Sequence, residues 1–523
     1  MALDKILAAI VFFFILKPLV VYLYDSKNLR KYPNQNFLSG ITNLASLRER
    51  RRRFRTRDLY TQHQKHPVIR VAPNILSFGD VRAVKDIYGF GSSCQKHSMY
   101  ELQNGPGHLN ILNVIDREDH NRKRRMLSHA FSTKNLETWE FKITDKVTKL
   151  VAQFDTRAAV YSAAGKAEEE ASLSNEGLVD VRYWFNLFTV DAIADIALSE
   201  RLGMLESGSD VVKVEGQGGT GEESRAHRFI ADMHEAARVK ARIIGTLEWY
   251  SVMKEVFAFF SSRARSQWIC GGRVGDTVTC LAVKRLRRHR DGEDIDDFLS
   301  CLIADKAGKA RDLDLGELKS ETNILLDAGS ETTAIALTHL LYYLLKNPQC
   351  FSKLRQEVSE AITGDQVAPY AKVKSLPYLK ACIEESLRLS PPLARGLERV
   401  TPPEGATIMG EIIPGNVGVS VPAYVAHRDP ELFPEPEAFR PERWIEGDNI
   451  GKMRDAFIPF SSGGRACIGR NITMMEQQIL MATLVHRYDF SLPSSDWTLQ
   501  NEEAFNLWPV ELPVRIWKRS LKV

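Results

Sequence analysis

The chain is poor in cysteine, and the cysteines it has form no pattern that suggests cross-links or a metal cluster. Seven occur in 523 residues, at positions 94, 270, 280, 301, 350, 382 and 467. The number is odd and no two have C-x-x-C spacing, which excludes a zinc finger or a dithiol centre and fits a reducing compartment. No Pro-, Ser- or Gly-rich linker divides the chain after about residue 60, so one large unit is expected rather than a string of domains. Charge of one sign is also lacking. The 70 Lys and Arg residues nearly balance 66 Asp and Glu, for a net +4, and a polyanion such as nucleic acid is not expected as a partner. There is no internal repeat, and no Gly-rich loop in a context suited to a dinucleotide or flavin. What remains, 44% hydrophobic and 26% charged residues, is the composition of a globular chain long enough to bury a sizeable core.

Near the start, every residue from Ile6 to Leu16 is apolar, and after Lys17 and Pro18 the character resumes through Leu19, Val20, Val21 and Leu23. About 20 apolar residues span a bilayer core. Thirteen Ile, Leu, Val or Phe side chains, at about −0.3 to −0.6 kcal/mol each, outweigh one off-centre Lys costing at most about 3 kcal/mol. Residues 1–24 are therefore expected to be a single-pass transmembrane anchor. A cleaved signal peptide is the rival reading, but Asp4 and Lys5 cancel, and Tyr22, Leu23 and Tyr24 stand where small residues would permit cleavage. Lys27, Arg30, Lys31, Arg48, Arg50 to Arg53, Arg55 and Arg57 follow the span, which places the rest on the cytosolic side. Residues 25–60 read as a basic linker, either touching anionic lipid or forming a solvated face.

The body from residue 61 to 523 reads as mainly α with small β-sheets. Apolar residues recur at helical spacing in Leu337 to Leu345, Cys350 to Ile362 and Leu376 to Leu389. Val68 to Ala72 and Val417 to Val421 look like short strands. Ala163 to Gly177 and Ser207 to Glu223, rich in small and acidic residues, are expected as surface loops.

The most specific feature is Phe460-Ser-Ser-Gly463-Gly-Arg465-Ala-Cys467-Ile-Gly469. A lone cysteine is ordinarily a small buried hydrophobe, but here each neighbour has a task if a haem lies there. Cys467 would be the thiolate ligand, favouring O–O cleavage. Gly463 and Gly469 would let the backbone turn tightly and approach the porphyrin. Phe460 would shield the sulfur, and Arg465 would hydrogen-bond a propionate.

This loop resembles the haem-binding signature of the cytochromes P-450, and the resemblance runs from about His63 to Lys518. It implies that family's fold, haem b with Cys467 as axial ligand, and an endoplasmic reticulum membrane location with the catalytic domain in the cytosol. Ala328-Gly329-Ser330-Glu331-Thr332-Thr333 puts a Gly and an acid–alcohol pair against propensity in mid-helix, and is similar to the family's oxygen-binding helix. Carried over, Glu331 is the proton-relay acid and Thr332 the hydroxyl beside dioxygen. The alternative is a Gly-weakened core helix with Thr bonding back to the preceding turn. Glu385 and Arg388, with Arg443, resemble the family's buried ion-pair cluster; a surface i,i+3 bridge worth under about 1 kcal/mol is the alternative. His120 and Arg124 resemble its propionate-binding W-x-x-x-R motif, with His in place of Trp, and Arg399 matches a further propionate-binding position. A solvated basic face is the other reading for His120 and Arg124.

Between Ser262 and Asp291 the family has long helices, whereas Gly271, Gly272 and Gly275 interrupt the pattern here, so a misfolded stretch, an unusual loop or an error in the gene sequence is expected. By correspondence, Cys94 to Ile115, Ile324 to Ala328, Leu393 to Leu397 and Phe505 to Leu507 should line the substrate pocket; Asp327 is read as a helix-exposed carboxylate, the alternative being that it faces the pocket, in which case a polar group on the substrate is expected. Arg70-Val-Ala-Pro-Asn74, Asp86-Ile-Tyr88 and Glu503-Ala-Phe-Asn-Leu-Trp508 are similar to fungal members related to benzoate para-hydroxylases and to secondary-metabolite oxygenases. The implied reaction is insertion of one oxygen atom from O2 into an apolar C–H or C=C bond, with electrons from NADPH-cytochrome P-450 reductase. That partner would dock on a basic face of Arg122 to Arg125, Lys452, Arg454, Arg465 and Arg470. A haem-thiolate peroxide isomerase, which needs no proton delivery, and a haem sensor are the alternatives.

Overall fold

Apolar residues at helical spacing govern most of the architecture, and short β-branched runs supply the rest. The computed structural model describes residues 12–520 apart from 50–52, 105–106, 165–176, 215–224, 305–308, 310, 312, 365 and 448. The start of the expected anchor, Arg50 to Arg52, and most of the two small-residue stretches thus lie outside the described residues. Phe12–Leu16 is a π-helical turn and Lys17–Tyr24 an α-helix, with Phe12, Phe13, Ile15, Val20, Val21 and Leu23 exposed. Among the described residues no helix is long and apolar enough to cross a membrane.

The largest sheet comprises β1 (Val68–Ala72), β2 (Ile75–Phe78), β3 (Gln95–Lys96), β4 (Arg399–Val400) and β5 (Gly418–Ser420), in the order β1-β2-β5-β4-β3. β5 runs parallel to β2, pairing Gly418 with Ile75, and the other pairs are antiparallel. The remaining sheets have two or three strands. One corrects the loop expected over Ser207 to Glu223: Val211–Val214 pairs with Arg225–Arg228 as a hairpin, because three β-branched residues favour extension over the small-residue signal around them.

Seven helices frame the site: α1 (Arg117–Ser128), α2 (Val181–Leu198), α3 (Phe229–Ile243), α4 (Ser262–Arg290), α5 (Leu315–Lys346), α6 (Pro377–Leu389) and α7 (Arg470–Arg487). Side-chain caps start several of them. Asp116 accepts from the Asp119 amide at 2.7 Å, and Asp314 from that of Gly316 at 2.9 Å. α5 carries the longest apolar run and is buried almost continuously from Ser330 to Leu341, as a helix hydrophobic on all sides must be.

α4 overturns the interruption expected between Ser262 and Asp291. It runs unbroken for 29 residues, capped by Ser261 at the Ala264 amide, 3.1 Å away. Each Gly costs about 1 kcal/mol relative to Ala, but Ala264, Cys270, Val278 and Leu281 are buried by the fold. Gly271 permits close approach to α3, where an added Cβ would lie 3.4 Å from that of Ala236.

On α6, Glu385 and Arg388 are fully buried, which rules out the surface bridge. The Arg388 guanidinium donates to both Glu385 oxygens at 2.9 Å and to the carbonyls of His427 (3.0 Å), Pro436 (2.7 Å) and Ala438 (3.0 Å). Glu385 also accepts from Arg443 at 3.0 Å, Trp444 at 2.9 Å and the Arg440 amide at 2.9 Å. The carboxylate thus collects five donated bonds from four residues, enough to compensate its burial. Arg388→Ala would leave that charge short of its partner at a cost of about 3–5 kcal/mol. The expected outcome is loss of stable haem incorporation, read as haem content per polypeptide after purification; normal loading would show the cluster to be dispensable.

Candidate active site

Cys467 stands at the end of a loop closed by its own backbone. Its amide donates to Phe460 O at 2.8 Å, and that of Ala466 to Gly463 O at 3.1 Å, so the chain winds into a 3-10 turn over Gly463–Arg465 before entering α7. Gly463 has φ +66°, and a Cβ there would lie 2.0 Å from the Tyr88 carbonyl oxygen; only glycine fits. Gly469 differs from expectation. Its φ of −80° is ordinary, and a Cβ would meet Cys467 Sγ at 3.7 Å, a normal contact. Its contribution is an amide, which with that of Arg470 donates to the sulfur. Burial raises the Cys467 thiol above its usual pKa, while these amides and Arg124 pull it back.

The sulfur opens onto an apolar cavity of about 250 Å³; what is exposed of Cys467 faces this cavity, not bulk solvent. Phe460 lines it too, with the Arg470 guanidinium 5.8 Å from the ring centre. A cluster of nitrogen donors converges on the cavity: Lys96, His120, Arg124, Arg399 and Arg465. Arg465 ties the cysteine loop to the 114–116 segment through the carbonyls of Val114 (3.1 Å), Ile115 (2.6 Å) and Asp116 (3.2 Å). Arg124 donates to Ala466 O at 2.7 Å, and Arg399 to Tyr100 Oη at 3.4 Å.

Like charges crowd one another here. Burial, then Arg465, Arg399 and Arg124, depress Lys96 far below its usual pKa. Burial, Arg465 and Lys96 push His120 down to about 3, so its imidazole is neutral. Burial and Arg399 bring Arg465 to about 10. Among the lining residues Asp327 is the sole carboxylate, so the cluster is short of negative charge. Haem b fits this donor set: two propionates supply the missing anions, the porphyrin body suits apolar walls, and Cys467 is placed as a thiolate ligand. Sequence reasoning missed Lys96 as a member. A single Lys at the end of a two-residue strand carries no motif; only the fold turns it inward, where it donates to the carbonyls of Ile111 (3.3 Å) and Leu112 (2.5 Å).

On α5 the acid and alcohol part company. Thr332 lines the cavity, its hydroxyl donating to Ala328 O at 2.9 Å, so the back-bond and the cavity position coexist. Glu331 is buried outside the cavity lining, with Oε2 2.5 Å from His234 Nε2 and Oε1 3.9 Å from Arg182. Adjacent residues on a helix diverge by about 100°, which sends Glu331 toward α3. Burial alone would raise its pKa, but His234, Arg182 and Arg238 together hold it below the usual carboxylate range. His234, 97 positions away, had no sequence signal. Gly329 lets α5 meet α2: a Cβ there would lie 2.6 Å from Ile193 Cγ1.

The pocket segments contribute Tyr100, Ile111, Leu112, Ile324, Leu325, Leu393, Leu397, Phe505 and Asn506 to the lining, whereas Leu507 is wholly buried in a separate cluster. Of the two readings of Asp327, the structure bears out the pocket-facing one: it lines the cavity. The basic face is also smaller than expected. Arg122 and Lys123 are paired with Glu317, Lys123 also with Glu321, and Arg454 grips Glu384 at 2.5 and 2.6 Å. Arg124 and Arg465 face the cavity. Arg125, Lys452 and Arg470 remain exposed.

The family model for cytochrome P450 matches residues 78–513. The chain is 33% identical over 458 residues to cytochrome P450 monooxygenase efuB of Hormonema carpetanum, covering 85% of this chain and 83% of that protein. It is 31% identical over 472 residues to cytochrome P450 monooxygenase traB of Penicillium crustosum, covering 87% and 86%. Benzoate 4-monooxygenase bphA of Aspergillus niger is 29% identical over 494 residues, 92% of each chain.

The loop geometry has a direct test. Gly463→Ala forces a Cβ against the Tyr88 carbonyl, whereas Gly464→Ala points into open space. The first variant should lose most of its haem-thiolate absorbance and the second should keep it; equal spectra would refute the packing constraint.

Proposed function

The chain belongs to the cytochrome P450 family and is a haem-dependent monooxygenase, and from that premise we propose that it oxidises an apolar small molecule of secondary metabolism, by hydroxylation or epoxidation. The observation that carries this is the convergence of a sulfur, an uncompensated cation cluster and a helix hydroxyl on one apolar cavity. Haem, when bound, would supply dioxygen activation, to which a thiolate would contribute electron density. One oxygen atom enters the substrate and the other leaves as water, consuming two electrons and two protons.

The chain's own residues hold and orient. Cys467 would hold the iron, with the Gly469 and Arg470 amides restraining its charge. Lys96, His120, Arg124, Arg399 and Arg465 would receive the propionates as hydrogen-bond donors. Thr332 Oγ1 lies at the cavity wall with its proton on Ala328 O and its lone pairs free to accept, and would pass a proton inward by releasing that back-bond. Glu331, behind that wall with His234, serves as the acid from which protons reach the hydroxyl. Glu385, Arg388 and Arg443 act at a distance, fixing the chain that leads into the cysteine loop.

Residues 1–24 are proposed as a single-pass anchor in the endoplasmic reticulum membrane, 25–60 as a basic linker at the lipid surface, and 61–523 as the cytosolic catalytic domain. The exposed apolar side chains between Phe12 and Leu23, together with exposed Phe259 and Phe260, support contact with lipid. Hydroxylation of benzoate, by analogy with the Aspergillus relative's name, is a second reading; it requires a carboxylate to share the pocket with Asp327.

Reduced, carbon-monoxide-treated holoprotein should show a thiolate-type Soret band that Cys467→Ala abolishes. With NADPH, reductase and substrate, product should carry one label from oxygen-18 gas. Absence of the band, or of label, would refute the monooxygenase reading. NADPH-cytochrome P450 reductase is the proposed donor, docking through Arg125, Lys452 and Arg470. Turnover should fall as ionic strength shortens the screening length from about 10 Å at 0.1 M toward about 3 Å at 1 M, with the haem spectrum intact; a salt-independent rate would rule out electrostatic docking.

A further inference from the structure

We propose that Asp327 anchors the substrate, and that the molecule this enzyme oxidises carries a hydrogen-bond donor, a hydroxyl or N–H group, on an otherwise apolar skeleton. The inference rests on the monooxygenase reading and names the substrate class of that same site.

Asp327 is the sole carboxylate among the residues lining the cavity, and its exposed surface opens into that space although it sits in the middle of α5. Among the described residues no group donates a hydrogen bond to its carboxyl oxygens. Its ion-pair partner is missing as well. Lys240 of α3 acts on it only through space, as do Glu331 one turn further along α5 and His234, and Lys240 is not among the lining residues. The cations that do line the cavity come from α1, β3, β4 and the cysteine loop, the donor set assigned above to the propionates.

The cavity that Asp327 enters has largely apolar walls, Ile324, Leu325, Leu393, Leu397 and Phe505 among them. A carboxyl left without a hydrogen-bond partner carries a desolvation penalty that Lys240 and His234 relieve only in part. A donor on the substrate relieves it through a charge-assisted bond, whereas an ether or a hydrocarbon cannot. The ionised carboxylate has acceptors and no donor, so in that state it selects a donor on the substrate. Asp327 precedes Thr332 by five residues, roughly 7.5 Å along the helix axis at about 1.5 Å per residue. A molecule gripped at Asp327 is therefore oxidised several bonds away from its donor group, which makes this residue a determinant of position as well as affinity.

The test uses purified holoenzyme and three probes on one skeleton: 4-isopropylbenzyl alcohol, its methyl ether and p-cymene. Binding is measured by titration calorimetry, with the reduced carbon-monoxide spectrum recorded on the same samples. The wild-type protein should bind the alcohol about tenfold more tightly than either comparator, the difference expected of one such bond. Asp327→Leu and Asp327→Ala should bring all three within about twofold, while keeping the thiolate band. No preference for the alcohol in the wild type, or a preference that survives both substitutions, would overturn the proposal. Loss of the thiolate band from the wild type would instead overturn the monooxygenase reading, and the calorimetric selectivity is read independently of it.

Discussion

The buried carboxylate of Glu385 is the point on which the haem-side architecture turns. It receives two bonds from Arg388 and one each from Arg443, Trp444 and the Arg440 amide. Arg388 then uses its remaining donors to hold the carbonyls of His427, Pro436 and Ala438, and His427 in turn accepts from the Ile458 amide at 2.8 Å. Ile458 stands two residues before Phe460, where the cysteine loop begins. A chain of directional bonds thus connects α6 to the loop across a stretch with little regular secondary structure. Such a segment would otherwise be free to drift, since few helical or ladder bonds restrain it.

That restraint matters because the loop must carry an awkward electrostatic load. A thiol, three arginines, a lysine and a neutral histidine face one cavity, and burial acts against the charged form of the thiol, Lys96, His120, Arg124 and Arg465. Among the described residues Asp116 and Glu321 offset part of this positive charge, and an excess remains. The arrangement makes sense only as one half of a complex, with the prosthetic group providing the anionic half and the metal. Positioning and charge complementarity are then the same problem, solved by hydrogen bonds from Arg465 and Arg124 to backbone carbonyls that keep the cations from dispersing.

How much of this was legible in the sequence varied with the range of the interaction. Fixed spacing within one loop or one helical turn was readable: Cys467 with Gly463 and Arg465, Glu385 with Arg388, and Thr332 on its helix. Features set by packing between distant segments were not. Three glycines argued for a break in the 262–291 region, yet α4 is continuous because its contacts with α3 outweigh local propensity. Gly469 was assigned a tight turn and close approach to the porphyrin; its φ is ordinary, so the turn does not require glycine there, and its amide donates to the sulfur. Lys96 and His234 carry no motif, and for Asp327 the sequence left two readings open, because an acid on an apolar helix is more often solvated yet can face a pocket. For Arg122, Lys123 and Arg454, the partners that neutralise them lie far along the chain, so a list of basic residues overstated the free positive surface.

The close crossing of α2 and α5 at Gly329 limits how this catalyst can be reshaped. Since Ile193 Cγ1 would lie 2.6 Å from any side chain begun at position 329, enlargement there must displace Ile193 and disturb the seam between the two helices. Leu393, Leu397 and Phe505 line the same cavity from outside the helices, so a change of residue at those positions alters the walls for bulkier molecules and leaves that seam closed.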